Sequence, residues 1–151
     1  LEDTSLARAL GLLKAQPGEM LFRWKNKDGD ERCLTADDVN AALRQRFAET
    51  TSAKDFRTFR ASSIVAGALQ GVVKGDKKTR SAALQQSIKE SARFLANTPT
   101  VCKASYVHPD VQDAFTDEDF DATGLFTGPQ RAGLTRGETG LLRLLKQKAE
   151  K

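Results

Sequence analysis

Signals that start helices recur along this 151-residue chain, and no other feature limits its fold as strongly. Thr35-Ala-Asp-Asp38 reads as an N-cap with acid in the first turn, and Val39, Leu43 and Phe47 then share one face of a helix running to about Ala48. Ser52-Ala-Lys-Asp55 repeats the signature, and Phe56, Phe59, Ser63, Ala66 and Leu69 or Gln70 carry a mostly apolar stripe as far as Gly71. After the polar break Gly75–Lys78, the spacing of Leu84, Ile88, Ala92 and Leu95 predicts a long amphipathic helix ending near Ala96. Thr98-Pro99 is an N-cap with proline at the first helical position, so a brief helix should deliver Tyr106 near its end before His108-Pro109 breaks it. Thr135-Arg-Gly-Glu138 caps a last helix through Leu141, Leu142, Leu144 and Leu145.

The remaining segments add little regular structure. Leu6, Leu10 and Leu13 mark a short opening helix that Gln16-Pro17-Gly18 stops. Met20-Leu21-Phe22 and Arg32-Cys33-Leu34 flank the polar turn Asn26–Asp30, a pattern that fits either a small hairpin or a loop. Asp121 to Gly133, rich in Gly, Thr and Pro, is expected to be irregular. The expectation is a mainly α, compact multi-helix domain with at most a small β-hairpin near residues 20–34. Helices from Ser5 to Phe115 should close its core.

Composition excludes several classes. With 39% hydrophobic and 29% charged residues the chain has the balance of a soluble globular domain, and it contains no apolar run near the roughly 20 residues a membrane span needs. Cys33 and Cys102 are too few and too far apart for a disulfide framework, so both are expected to be free thiols in a reducing cytoplasm. His108 is the single histidine, and no Cys or His pair has metal-ligand spacing; neither a metal nor a cofactor is expected. The net charge is +4, and its distribution says more than its total. Lys54 to Arg93 holds nine Lys or Arg against three acids, whereas Asp110 to Asp121 holds six acids and no base. A basic stretch of this kind suits a phosphate backbone, where Lys and Arg displace condensed counterions, and equally suits a solvated helix face.

Two segments decide between those readings. Thr51-Ser-Ala-Lys-Asp-Phe-Arg-Thr-Phe59 and Leu95-Ala-Asn-Thr-Pro-Thr-Val-Cys-Lys-Ala-Ser-Tyr-Val-His-Pro109 resemble the two C-terminal active-site motifs of bacterial, poxvirus-like type IB DNA topoisomerases. The family pattern is a K-D-x-R-T box supplying an arginine, then a G-[HN]-T-P box supplying a tyrosine that precedes x-x-P. Both occur here in order. The resemblance covers about residues 6–115. It implies that residues 1–120 are the C-terminal part of a catalytic domain; residues 121–151 form an extension without a matching motif, whose final helix either packs on the same domain or pairs with another protein.

Tyrosine recombinases share this chemistry and a related L-G-H…Y-x-H box, and they form the alternative, together with a DNA-binding relic of the same fold. Asp55-Phe-Arg-Thr58 and Thr98-Pro99 favour the topoisomerase.

The resemblance implies ATP- and metal-independent cleavage and rejoining of double-stranded DNA through a 3′-phosphotyrosyl enzyme, which relaxes supercoils. Tyr106, the only tyrosine, is the implied nucleophile. Arg57 would set its fork of donors against the non-bridging phosphate oxygens. Asn97 stands where many members have histidine; its amide can donate to phosphate but cannot exchange protons near neutral pH. Lys54 and Lys103 are expected to touch DNA phosphates, and His108 to be structural.

The family also needs a second arginine and a lysine that protonates the departing 5′-oxygen. Both come from segments preceding these motifs, and Lys25 or Lys27 in Phe22–Lys27 does not align with the lysine. Leu1 and the late start relative to the family suggest a piece of a longer enzyme, nearly inactive alone, whose missing N-terminal part is its partner. A monomeric, cytoplasmic, nucleoid-associated enzyme is expected.

Overall fold

The computed structural model describes residues 3–72, 75–117 and 119–150. Leu1, Lys74 and Glu118, which entered the sequence reading, lie outside them. The chain divides between Ser52 and Ala53 into two compact units.

The first unit holds two helices and the hairpin. Helix α1 (Thr4–Lys14) starts where the Asp3 carboxylate accepts the Leu6 N–H at 2.8 Å. Strands β1 (Arg23–Lys25) and β2 (Glu31–Cys33) pair antiparallel, with Arg23 opposite Cys33 and Lys25 opposite Glu31. The turn between them closes because Asn26 Oδ1 accepts the N–H groups of Asp28 and Asp30, with Gly29 at a φ of 88° that a side chain would resist. Helix α2 (Ala36–Arg46) begins at a reciprocal capping box, Thr35 Oγ1 accepting from the Asp38 N–H while Asp38 accepts from the Thr35 N–H.

The second unit carries the core. Helix α3 (Ala53–Ala68) runs into a 3-10 turn at Leu69–Val72, and α4 (Lys77–Phe94) starts on the Asp76 cap. Helices α5 (Pro99–Ser105) and α6 (Pro109–Thr116) follow, each with proline in its first turn, and α7 (Arg136–Ala149) starts on the Thr135/Glu138 capping box. His108-Pro109 therefore stops one helix and opens another, because a proline that cannot continue a helix is pre-shaped to begin one. Helix α3 packs against both α4 and α7, and α4 against α5 and α6.

The fold is mainly α with one small hairpin, as the periodicity predicts. The core is placed differently from the expectation. No residue of α1 or α2 is buried, and the buried apolar cluster runs from Ala61 to Leu144, with Leu125, Phe126, Leu141 and Leu144 supplied after the acidic stretch. Short helices with one apolar stripe cannot by themselves enclose a side chain, whereas α3 is covered by neighbours on several sides.

Two details fix the arrangement around α3 and α6. A Cβ added to Gly137 would sit 2.9 Å from the Ser63 carbonyl oxygen and 3.9 Å from Gly67 Cα, so α3 and α7 approach through their glycines. Arg80, buried on α4, donates to the carbonyls of Ala114 (2.7 Å) and Asp117 (3.2 Å) and so places a cation at the C-terminal end of α6.

Candidate active site

Arg57 lies on the second turn of α3, where the Lys-Asp-Phe-Arg sequence continues the helix begun at Ala53. Tyr106 is the C-cap of α5, with its N–H bonded to the Cys102 carbonyl at 3.0 Å. Across these two helices the guanidinium carbon of Arg57 stands 4.8 Å from the centroid of the Tyr106 ring. This is cation–π distance, and it places a permanent positive charge on the half-buried phenol.

Asn97 reaches the same place by way of the end of α4. There the Asn97 N–H bonds the Ala92 carbonyl (2.9 Å) and the Ala96 N–H bonds the Arg93 carbonyl (3.2 Å), the paired bonds of a Schellman termination. The residue between Leu95 and Asn97 must then be left-handed, and Ala96 has a φ of 54°. The turn aims the Leu95 carbonyl at the site. Arg57 Nη2 donates to it at 3.2 Å and the Asn97 amide at 3.4 Å. Tyr106, Arg57 and Asn97 thus share one small region, the latter two through a common acceptor. A guanidinium has five donors, so its bond to Leu95 leaves others to meet a phosphate.

Lys54 is exposed on the first turn of α3, and Lys103 is exposed on α5. Lys103 and Lys89 line a groove of about 760 Å³ between α4, α5 and α6 that opens beside Tyr106 and His108. Lys89 was not singled out by the sequence; its place one residue after the buried Ile88 of a periodic helix is the only signal it gives. His108 caps α6, its Nδ1 accepting the Asp110 N–H at 3.3 Å, which places a structural bond on the ring nitrogen nearest the backbone. Both cysteines are free thiols, and Cys102 is on the buried face of α5. Among the described residues no cluster of three or more His, Cys, Asp or Glu is arranged to hold a metal ion.

Sequence reasoning missed two further residues near this region. Arg60, one turn beyond Arg57, meets Glu138 of α7 at 3.4 Å and lies 5.0 Å from the Phe94 ring, next to the Leu95–Asn97 turn. Ser62 is buried behind Tyr106. The sequence offered no signal for Ser62, since the polar position on the apolar stripe of α3 is its neighbour Ser63.

Residues 5–121, more than three quarters of the chain, match the family described as eukaryotic DNA topoisomerase I, catalytic core. The chain belongs to this topoisomerase I family. No curated protein matches it. Type IB topoisomerases are isomerases that act on DNA, and the matched span contains Arg57, Asn97 and Tyr106. Helix α7 lies beyond the match yet packs against α3, the helix that carries Arg57.

Proposed function

We propose that Tyr106 is the nucleophile of a type IB strand-transfer reaction, with Arg57 and Asn97 stabilising the phosphorane-like transition state. The Tyr106 oxygen attacks phosphorus as its proton passes to solvent water, the P–O5′ bond breaks, and a 3′-phosphotyrosyl linkage replaces it. Rejoining is the same displacement in reverse, so bond energy is conserved and no nucleotide is consumed.

The observation that carries the reading is the Arg57 guanidinium 4.8 Å from the centroid of the lone tyrosine's ring. A cation there favours loss of the phenolic proton during attack and is then adjacent to the oxygens on which charge accumulates. Asn97 adds a donor that carries no proton-transfer role. Lys54 and Lys103 contact backbone phosphates, so their loss weakens binding at all sequences alike. The departing 5′-oxygen takes its proton from a lysine on an upstream segment, which also supplies a second arginine. The spellings Lys54-Asp-Phe-Arg-Thr58 and Asn97-Thr-Pro99 favour the bacterial, poxvirus-like branch, and with it action on the nucleoid.

The test is a nicked suicide duplex resolved on a denaturing gel, with and without an added upstream fragment. The wild-type chain should form a covalent adduct that increases with the fragment, and Tyr106→Phe should form none. Removing a comparable transition-state donor costs about 10²–10³-fold, so Arg57→Ala should slow adduct formation by that order. An adduct that persists in Tyr106→Phe would exclude this assignment.

A further inference from the structure

We propose that Ser62 is a positioning residue for Tyr106, holding the backbone on both sides of Val107 and so fixing where the tyrosine leaves α5. The proposal rests on Tyr106 being the nucleophile.

Ser62 lies on α3, the helix that carries Arg57, and is 2% exposed. Its hydroxyl donates to the Tyr106 carbonyl at 3.3 Å and accepts the His108 N–H at 2.9 Å. Serines inside helices ordinarily bond a carbonyl of the preceding turn. Ser63 does so with Arg60 (2.9 Å) and Ser87 with Leu84 (2.9 Å). Ser62 instead uses both of its bonds on the joint between α5 and α6, 44 and 46 residues away.

That joint is short and mechanically sensitive. Tyr106 ends α5, Val107 is 4% exposed, and His108 caps α6, so three residues redirect the chain. A second buried contact fixes the middle of α5 to the same scaffold: Cys102 Sγ lies 3.4 Å from Ser91 Oγ, which donates to the Ala61 carbonyl at 3.5 Å. Tyr106 is therefore referenced to α3 at the helix exit, and Arg57 is part of α3. In-line attack depends on that shared reference, and small misplacements of reacting groups cost up to about 100-fold in rate. Without the hydroxyl, the Tyr106 carbonyl and the His108 N–H each lose a partner at a partly buried position.

The test uses the full chain and a nicked suicide duplex whose scissile 5′-oxygen is replaced by sulfur. A thiol is far more acidic than an alcohol, so the leaving group departs without a donated proton. Single-turnover adduct rates at saturating DNA are compared with DNA affinity and thermal melting. Ser62→Ala should form adduct at least about tenfold more slowly while binding DNA within about twofold of wild type, because the lost interaction aligns rather than binds. Ser63→Ala, which removes a hydroxyl bonded inside its own helix, should cleave at the wild-type rate. If Ser62→Ala does not fold, the near-isosteric Ser62→Cys decides on the same criterion.

Wild-type rates in the Ser62 variants, or an equal loss in Ser63→Ala, would overturn the positioning role and leave Tyr106 as nucleophile. No adduct from the wild-type chain with its upstream fragment present would overturn both.

Discussion

Ala96 holds a left-handed backbone, with φ at 54°, in the turn that delivers Asn97 and the Leu95 carbonyl to Arg57. A side chain there crowds the following carbonyl, at a cost of about 1–2 kcal/mol, and glycine carries no such penalty. The family pattern has glycine at this position, so this chain retains the turn geometry at the expense of strain. Ala96→Gly should raise stability by about 1 kcal/mol, after allowing for the greater freedom of glycine in the unfolded chain. For a domain of this size that is a rise of about 2–4 °C in melting temperature by calorimetry. An unchanged or lower melting temperature would show that the strain is relieved elsewhere.

The residues of the site were legible in the sequence to different degrees. Tyr106, Arg57 and Asn97 belong to motifs, and local helix signals place each at a helix end or on a first or second turn. Their proximity was not legible from periodicity, because it depends on how α3 packs against α4 and α4 against α5. Ser62 illustrates the limit: its partners are 44 and 46 residues away, and nothing near it in sequence distinguishes it from Ser63.

At the scale of elements, caps and close crossings do most of the positioning. Gly137 lies where α7 meets α3, and a Cβ there would come within 2.9 Å of the Ser63 carbonyl oxygen, a backbone atom that cannot rotate away. Gly137→Ala should therefore destabilise the second unit by about 1–3 kcal/mol despite alanine's better helix propensity, as read by urea denaturation. A neutral outcome would mean that α7 can slide on α3 without loss.

The capping carboxylates make a second prediction. Glu138 is held below its ordinary value of 4.5 by the Thr135 N–H it accepts and, less strongly, by the Thr135 hydroxyl and Arg60. Asp38 and Asp76 are likewise held below 3.8 by hydrogen bonds from Thr35 and Thr79. A carboxyl whose folded value lies below its unfolded one stabilises the fold above the unfolded value, and that contribution disappears as pH falls through the lowered one. Melting temperature should thus be insensitive to these groups from pH 7 to about 5 and fall below about pH 4.5. Glu138→Gln should flatten part of that acid slope; a wild-type slope in this variant would contradict the capping account. The start signals of α2, α5 and α7 were readable because a cap is local chemistry. The opening of α6 at Pro109 was not, because the same proline marks an end and a beginning.

At the scale of the whole molecule, the family match and the core do not coincide. The match covers residues 5–121, yet Leu125, Phe126, Leu141 and Leu144 beyond it are buried with the apolar residues of α3, α4 and α6. The final segment is thus part of the platform behind the site, and Glu138 reaches Arg60 one turn from Arg57. Sequence periodicity identified the last helix but not its role, since an amphipathic stripe shows that a face is covered and not by what.

The central claim is that the one tyrosine in the chain is the nucleophile, and peptide mapping of a trapped adduct tests it most directly. The chain is reacted with the sulfur-substituted nicked duplex, digested, and the DNA-bearing peptide sequenced by mass spectrometry. The account predicts a 3′-phosphate ester on Tyr106 and none in Tyr106→Phe. DNA attached to any other residue, or no covalent product from the wild-type chain with its upstream fragment present, would contradict it.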